Sequence, residues 1–249
     1  MKSRESIMLL MAAMLFAGCE SVPRDDKAFA APTHLTARLA TPLDIDLNWK
    51  DNAKAEAGYF VEYSPEANNE YVIIEALPPD STTYRHPHLM PQSRFVFRVL
   101  PYFGPVSGTA TIHTGKEGPQ QPPDRPPKTN AVASVKKSIR TMATFAEGAP
   151  TDFKATLIPP AGARLEWVNH AADADGILLE IKPEWGNEFK VSAFLASNAT
   201  SLVTYNFPFD AGFTLRVRPF FYGRPSNTAE QTTGIDPTMP AGTWKPAEH

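Results

Sequence analysis

The chain has 249 residues, 42% of them hydrophobic and 20% charged, which is long enough for two domains of roughly 100 residues each. Its net charge is −3 and no run of like charge exceeds two residues, so no basic field exists to hold nucleic acid, and nucleic-acid binding is excluded as a function class. The 25 prolines, about twice the usual share, predict many short segments with stiff connections.

At the N-terminus, Lys2 and Arg4 precede eleven uncharged, mostly apolar residues, Ile7 to Ala17. That run is shorter than the roughly 20 residues a helix needs to cross a bilayer, and it reads as a targeting signal. It ends in "LFAGC", where Gly18 precedes Cys19, the only cysteine of the chain. These residues resemble the lipobox of bacterial lipoprotein signals, with Phe16 standing where that family usually has Leu. The resemblance implies removal of residues 1–18 and lipidation of Cys19 by several acyl chains, which together anchor a protein firmly to a membrane. Glu20 after the cysteine, in place of Asp, implies the outer membrane where the host has one. The alternative is an ordinary cleaved signal with a buried cysteine. Either way a single cysteine excludes an intrachain disulfide. Residues 19–30 then form a tether reaching at most ~45 Å from the membrane.

Next comes a pattern that the chain writes twice, 118 residues apart. Leu47 and Trp49 recur as Leu165 and Trp167, Gly58 as Gly176, and Glu62 as Glu180. Asn69, Glu70 and Tyr71 recur as Asn187, Glu188 and Phe189. Phe95, Arg98, Val99, Pro101 and Phe103 recur as Phe213, Arg216, Val217, Pro219 and Phe221, and Thr114-Gly115 as Thr233-Gly234 after a one-residue slip. Within each copy short segments alternate apolar and polar residues: Ile45, Leu47 and Trp49 against Asp44, Asp46 and Asn48, for example. That period of two, with Pro, Gly and Asn between segments and no helical period, predicts about seven strands per copy and an all-β fold of two tandem sandwiches. Trp49 and Trp167 belong to the core by position.

The spacing resembles the fibronectin type III family as it occurs on secreted bacterial proteins. Glu56, Gly58, Tyr59, Val61 and Glu62 match its "E-x-G-Y-x-V-E" strand, and Leu89, Pro91, Ser93, Phe95, Arg98 and Val99 match a later motif. The second copy has diverged, with Ala174 in place of the first Glu. Phe95 and Phe213 stand where the family usually has a corner tyrosine, so the hydroxyl-to-backbone bond made there, worth about 1 kcal/mol, is absent. The resemblance covers residues 31–115 and 151–234 and implies immunoglobulin-like sandwiches that serve as spacers or binding platforms. Glu62 with Arg98, and Glu180 with Arg216, fall on the polar phase of neighbouring strands and are expected to form structural cross-strand ion pairs of 0.2–1 kcal/mol.

Residues 116–150 between the copies open with "KEGPQQPPDRPPK", a semi-rigid extended spacer, and continue through 132–147 as a short amphipathic element of helix or strand. Residues 235–249 form a disordered tail.

No motif for catalysis appears: there is no G-x-S-x-G, H-E-x-x-H or Gly-rich phosphate loop. His86 and His88 sit two apart, but with no third ligand nearby and Pro87 between them no metal site is expected. The expectation is a non-enzymatic protein without cofactors. Trp185, before Gly186-Asn187 at a hairpin turn, is the candidate contact, because an exposed indole can anchor a protein partner or stack on a sugar. The expected partners are a membrane through Cys19, and either another envelope protein or a glycan. A glycan- or peptidoglycan-binding lipoprotein is the alternative to a protein-interaction module.

Overall fold

The structure is a computed structural model that describes residues 29–65, 70–118, 148–171, 173–205 and 207–235. The signal, Cys19, most of the 19–30 tether, the 132–147 element and the tail beyond Ile235 lie outside these residues. Fourteen strands and no helix are found among the described residues, seven from each copy. The first copy supplies β1 (Thr33–Thr41), β2 (Asp44–Lys50), β3 (Gly58–Pro65), β4 (Val72–Leu77), β5 (Thr83–His86), β6 (Arg94–Phe103) and β7 (Ala110–His113). The second supplies β8 (Thr151–Ile158), β9 (Gly162–Val168), β10 (Gly176–Pro183), β11 (Lys190–Leu195), β12 (Ser201–Thr204), β13 (Gly212–Tyr222) and β14 (Ala229–Thr232).

Each body packs a three-stranded sheet, β1-β2-β5 or β12-β9-β8, on a larger one centred on β3 and β6 or on β10 and β13. The alternation in β2 works as its sequence predicts, burying Ile45, Leu47 and Trp49. One core gathers these with Tyr59, Val61, Phe97 and Val99, and the other gathers Leu165, Trp167, Ile177, Leu179, Leu215 and Val217.

The seventh strands depart from the contiguous segments that the repeat predicts. β7 does not pair with its own β6; it pairs with β13, placing Ile112 opposite Phe213. β14 in turn leaves its own β13 and pairs with β6, with Gln231 opposite Phe95. The two copies therefore exchange their last strands, and Ile112 is buried in the core of the second body. Both exchanged strands are held alike. The Ser107 N–H donates to the Val217 carbonyl, whose N–H donates back to the Ser107 hydroxyl; Ser226 repeats this on Val99. At the far end Thr114 Oγ1 donates to the carbonyls of Pro208 and Ala211, as Thr233 Oγ1 does to those of Met90 and Ser93.

The crossover has a covalent logic. Val99 and Val217 turn their N–H and C=O groups toward the incoming strand, so Pro101 and Pro219, two residues on, face the same way. Proline has no N–H to leave unpaired where the ladder changes partner. Beyond it the two long strands pair with each other, Phe103 with Phe221 and Tyr102 with Tyr222, which fuses both larger sheets into one. Gly104 then passes so close that a Cβ on it would lie 1.8 Å from the Pro219 carbonyl oxygen. The segment 119–147, between the copies in chain order, joins β7 to β8, and both of these strands belong to the second body.

The fused sheet folds its two halves face to face. Phe60, Tyr102, Leu178 and Phe220 are buried between the bodies, with Ile73, Val191, Phe194 and Tyr222 around them. Phe60 stacks on Tyr102 at 4.3 Å and meets Phe220 edge-on at 5.3 Å. Both faces of β3, β6 and β10 are consequently buried along most of their length.

Candidate partner-binding site

Trp185 sits on the turn between β10 and β11, where the Gly186 N–H closes back on the Pro183 carbonyl at 3.0 Å. The Glu184 N–H donates to the Gly212 carbonyl, tying the turn to the start of β13. One edge of the indole meets Phe213 at 5.6 Å, nearly perpendicular, while 64% of the residue stays exposed. Trp185 thus both rests on its own body and faces solvent.

Beneath it lies an open hollow of about 480 Å³ whose walls include Ile181, Leu202, Thr204, Phe207 and Phe213. The first body explains the hollow. At the registers of Ile181, Leu202 and Thr204 it carries Tyr63, Tyr84 and His86. Those three rings pack together, His86 lying 6.1 Å from Tyr63, 6.0 Å from Tyr84 and 6.4 Å from Phe97. Smaller side chains at the same places, with Ala163 for Ile45 and Leu215 for Phe97, leave the second body short of volume at this end. Trp185 forms a rim to that deficit.

The four residues expected in cross-strand pairs meet in the structure. Glu62 stands directly opposite Arg98 and Glu180 opposite Arg216. Arg98 Nε lies 2.7 Å from Glu62 Oε2, and Arg216 Nε bonds Glu180 Oε2. Their surroundings differ from the solvated strand face expected for them, because Glu62 is 0% and Glu180 3% exposed. The opposite body covers this face. Arg98 lies 3.7 Å above the Tyr71 ring and Arg216 3.8 Å above Phe189, so each guanidinium is stacked on an aromatic ring as well as paired. Arg218, where the first copy has Leu100, adds a second cation to Glu180 at 2.7 Å and donates to the Gly104 carbonyl at the crossover. Burial, and next the Glu180 charge, push the Tyr102 hydroxyl above its ordinary pKa; burial and then Glu62 do the same to Tyr222.

The missed signal was the apolar residue on the supposedly wet phase. Phe60 between Tyr59 and Val61, and Leu178 between Ile177 and Leu179, make continuous apolar runs that mark strands buried on both faces. A cleft of about 750 Å³ opens beside this junction, with Glu75, Tyr102, Glu180, Phe189, Lys190 and Arg216 in its wall.

His86 and His88 are not brought together: His86 is half-buried in its aromatic cluster, and His88 is exposed, its N–H donating to Asp44. Cys19 lies outside the described residues.

No family model and no curated protein matches the chain. Among solved structures it is similar to a fibronectin type III domain of human collagen XX, at 16% identity and a TM-score of 0.26, covering 29% of this chain and 75% of that one. It is also similar to a Fn3-like protein from Clostridium thermocellum, at 24% identity and a TM-score of 0.27, covering 30% and 76%. A redesigned β-sandwich protein is similar at 14% identity and 0.27, again covering 30% and 76%. By its strand order the chain is all-β, two fibronectin type III-like sandwiches with their last strands exchanged.

Proposed function

We propose that this chain is a non-enzymatic, lipid-anchored protein of the bacterial cell envelope, attached through Cys19 and presenting its two sandwiches as a protein-interaction module. The observation that carries the reading is Trp185: a rigid, exposed indole at the rim of an apolar hollow that the sister body fills with its own rings. Aromatic anchors beside a receptive hollow concentrate binding energy in protein interfaces. The strand exchange supports the role, since a fused pair of bodies presents its surfaces at a fixed spacing.

The decisive experiment is crosslinking in intact cells with wild type and Trp185→Ala. A partner captured by the wild type and lost from the variant, with melting unchanged, supports the site. Undiminished capture by the variant would sink it. Retention of the wild type on insoluble glycan or peptidoglycan, abolished by the same substitution, would favour a glycan-binding accessory lipoprotein, since an exposed indole also stacks on sugars. Anchoring is tested separately, by incorporation of labelled palmitate into wild type but not into Cys19→Ser.

A further inference from the structure

Three carboxylates meet at the junction end of the first body. Asp51 follows β2, Glu56 precedes β3 and Asp80 lies in the turn between β4 and β5, yet one carboxylate oxygen from each falls within 4.8 Å of the others. Asp51 Oδ1 accepts from the Ala53 N–H at 2.9 Å and from the Tyr59 hydroxyl. Glu56 Oε1 accepts from the Asp80 N–H at 3.2 Å. Glu56 Oε2 is shut off from solvent and takes no hydrogen bond. A carboxylate oxygen buried without a donor, beside two more carboxylates, is unfavourable unless a proton or a cation neutralises the group.

The second body serves as an internal control. It carries Asn169 for Asp51, Ala174 for Glu56, Asn198 for Asp80 and Ile177 for Tyr59, so all three charges have gone together. The bond that closes its first turn is kept all the same: the Ala171 N–H donates to Asn169 Oδ1 at 2.9 Å, as Ala53 does to Asp51. The turn-closing bond at this position therefore forms without a carboxylate.

We infer that Asp51, Glu56 and Asp80 bind one hard divalent cation, and that the cation is calcium. An all-oxygen donor set suits a hard ion. Donors on opposite sides of calcium stand up to about 5 Å apart, at 2.3–2.6 Å per bond, whereas around magnesium they stand about 4 Å apart. Carboxylates from three separate chain segments, all within 4.8 Å of one another, suit the flexible shell of calcium, whereas magnesium demands near-ideal octahedral geometry. Asp80 is exposed and leaves the remaining positions open to water.

The test is calorimetric titration of the chelator-treated whole chain with calcium chloride, and in parallel with magnesium chloride, followed by thermal melting. One calcium per chain is expected, with a Kd of about 10⁻⁴–10⁻³ M, as in extracellular modules, and a rise in melting temperature. Glu56→Gln should weaken binding at least ~10-fold by the loss of one coordinating charge. Asp80→Asn, at an exposed position that folding tolerates, should do the same and stands in if Glu56→Gln fails to fold. Absence of heat and of any melting shift at about 10 mM calcium, binding that favours magnesium, or wild-type affinity in Asp80→Asn would overturn the inference.

Discussion

The two bodies share a framework and differ in what they put inside and around it. At one end the first body closes its core with Tyr63, Tyr84 and His86, while the second leaves a hollow over Ile181, Leu202 and Thr204 with Trp185 at its rim. At the opposite end the first body gathers three carboxylates where the second has Asn169, Ala174 and Asn198. Residues kept in both copies, such as Gly58 and Gly176, Glu62 and Glu180, or Pro101 and Pro219, serve the shared sheet and its crossover. Divergence between copies, rather than their identity, is what marks a place with a task of its own.

The strongest way to break this comparison is to undo the exchange. A chain ended after Gly223 lacks β14 and leaves one side of β6 and the Phe95–Phe97 region uncovered. It should lose its cooperative thermal transition by circular dichroism. Conversely, residues 148–235 alone, which include the whole second copy as the repeat delimits it, should fail to fold without β7 and recover structure when the peptide 104–118 is added. A stable, cooperatively melting 148–235 would show that the exchange is dispensable.

The next largest effect should come from the buried charges. Glu62→Ala leaves Arg98 unpaired beneath the second body and should destabilise by about 3–5 kcal/mol in denaturant melts. Glu180→Ala strands both Arg216 and Arg218, and its loss should equal or exceed that of Glu62→Ala. Equal, small losses under 1 kcal/mol would mean that these pairs behave as solvated surface bridges after all.

At the crossover, Gly104→Ala drives a methyl group into the Pro219 carbonyl and should lower stability by about 1–3 kcal/mol. Gly108→Ala, with open space around it, is the control and should change little.

Smaller still is the acid response of the first body. Burial holds the His86 pKa below its ordinary value, so the unfolded chain takes the proton more readily than the folded one. Stability should therefore fall as pH drops below about 6.5 and level off once the folded-state pKa is passed. His86→Phe keeps the ring and should flatten this part of the pH–melting profile. The second body, with Thr204 in that place, contributes no such step.

The smallest stability effect is expected at the site itself. Trp185→Ala removes a mostly exposed ring and should change stability by less than about 0.5 kcal/mol. Refilling the hollow by Leu202→Tyr, the first body's residue, should block the partner while leaving melting unchanged or raised.

Much of this architecture was legible beforehand. The strand count, the cores around Trp49 and Trp167, and the opposition of Glu62 to Arg98 follow from a period of two and a repeat offset of 118. The covered face was written in Phe60 and Leu178, which interrupt the polar phase, yet a continuous apolar run does not say which surface covers it. The hollow was not legible, because it is a deficit of volume spread over five positions on four strands. Nor were the three carboxylates, which are 29 residues apart at the extremes and meet only through loops.

Local chemistry thus determined the elements: alternation, turn residues and apolar runs act over a few residues and decide strands and their buried faces. Which strand completes which sheet was decided only in three dimensions. β7 and β14 are four residues each, both open with Ala and both are followed by Thr-Gly, so local pattern alone does not assign either to a sheet. The choice falls to the aromatic junction of Phe60, Tyr102, Leu178 and Phe220, which draws β6 and β13 together until each chain end runs onto the other's sheet.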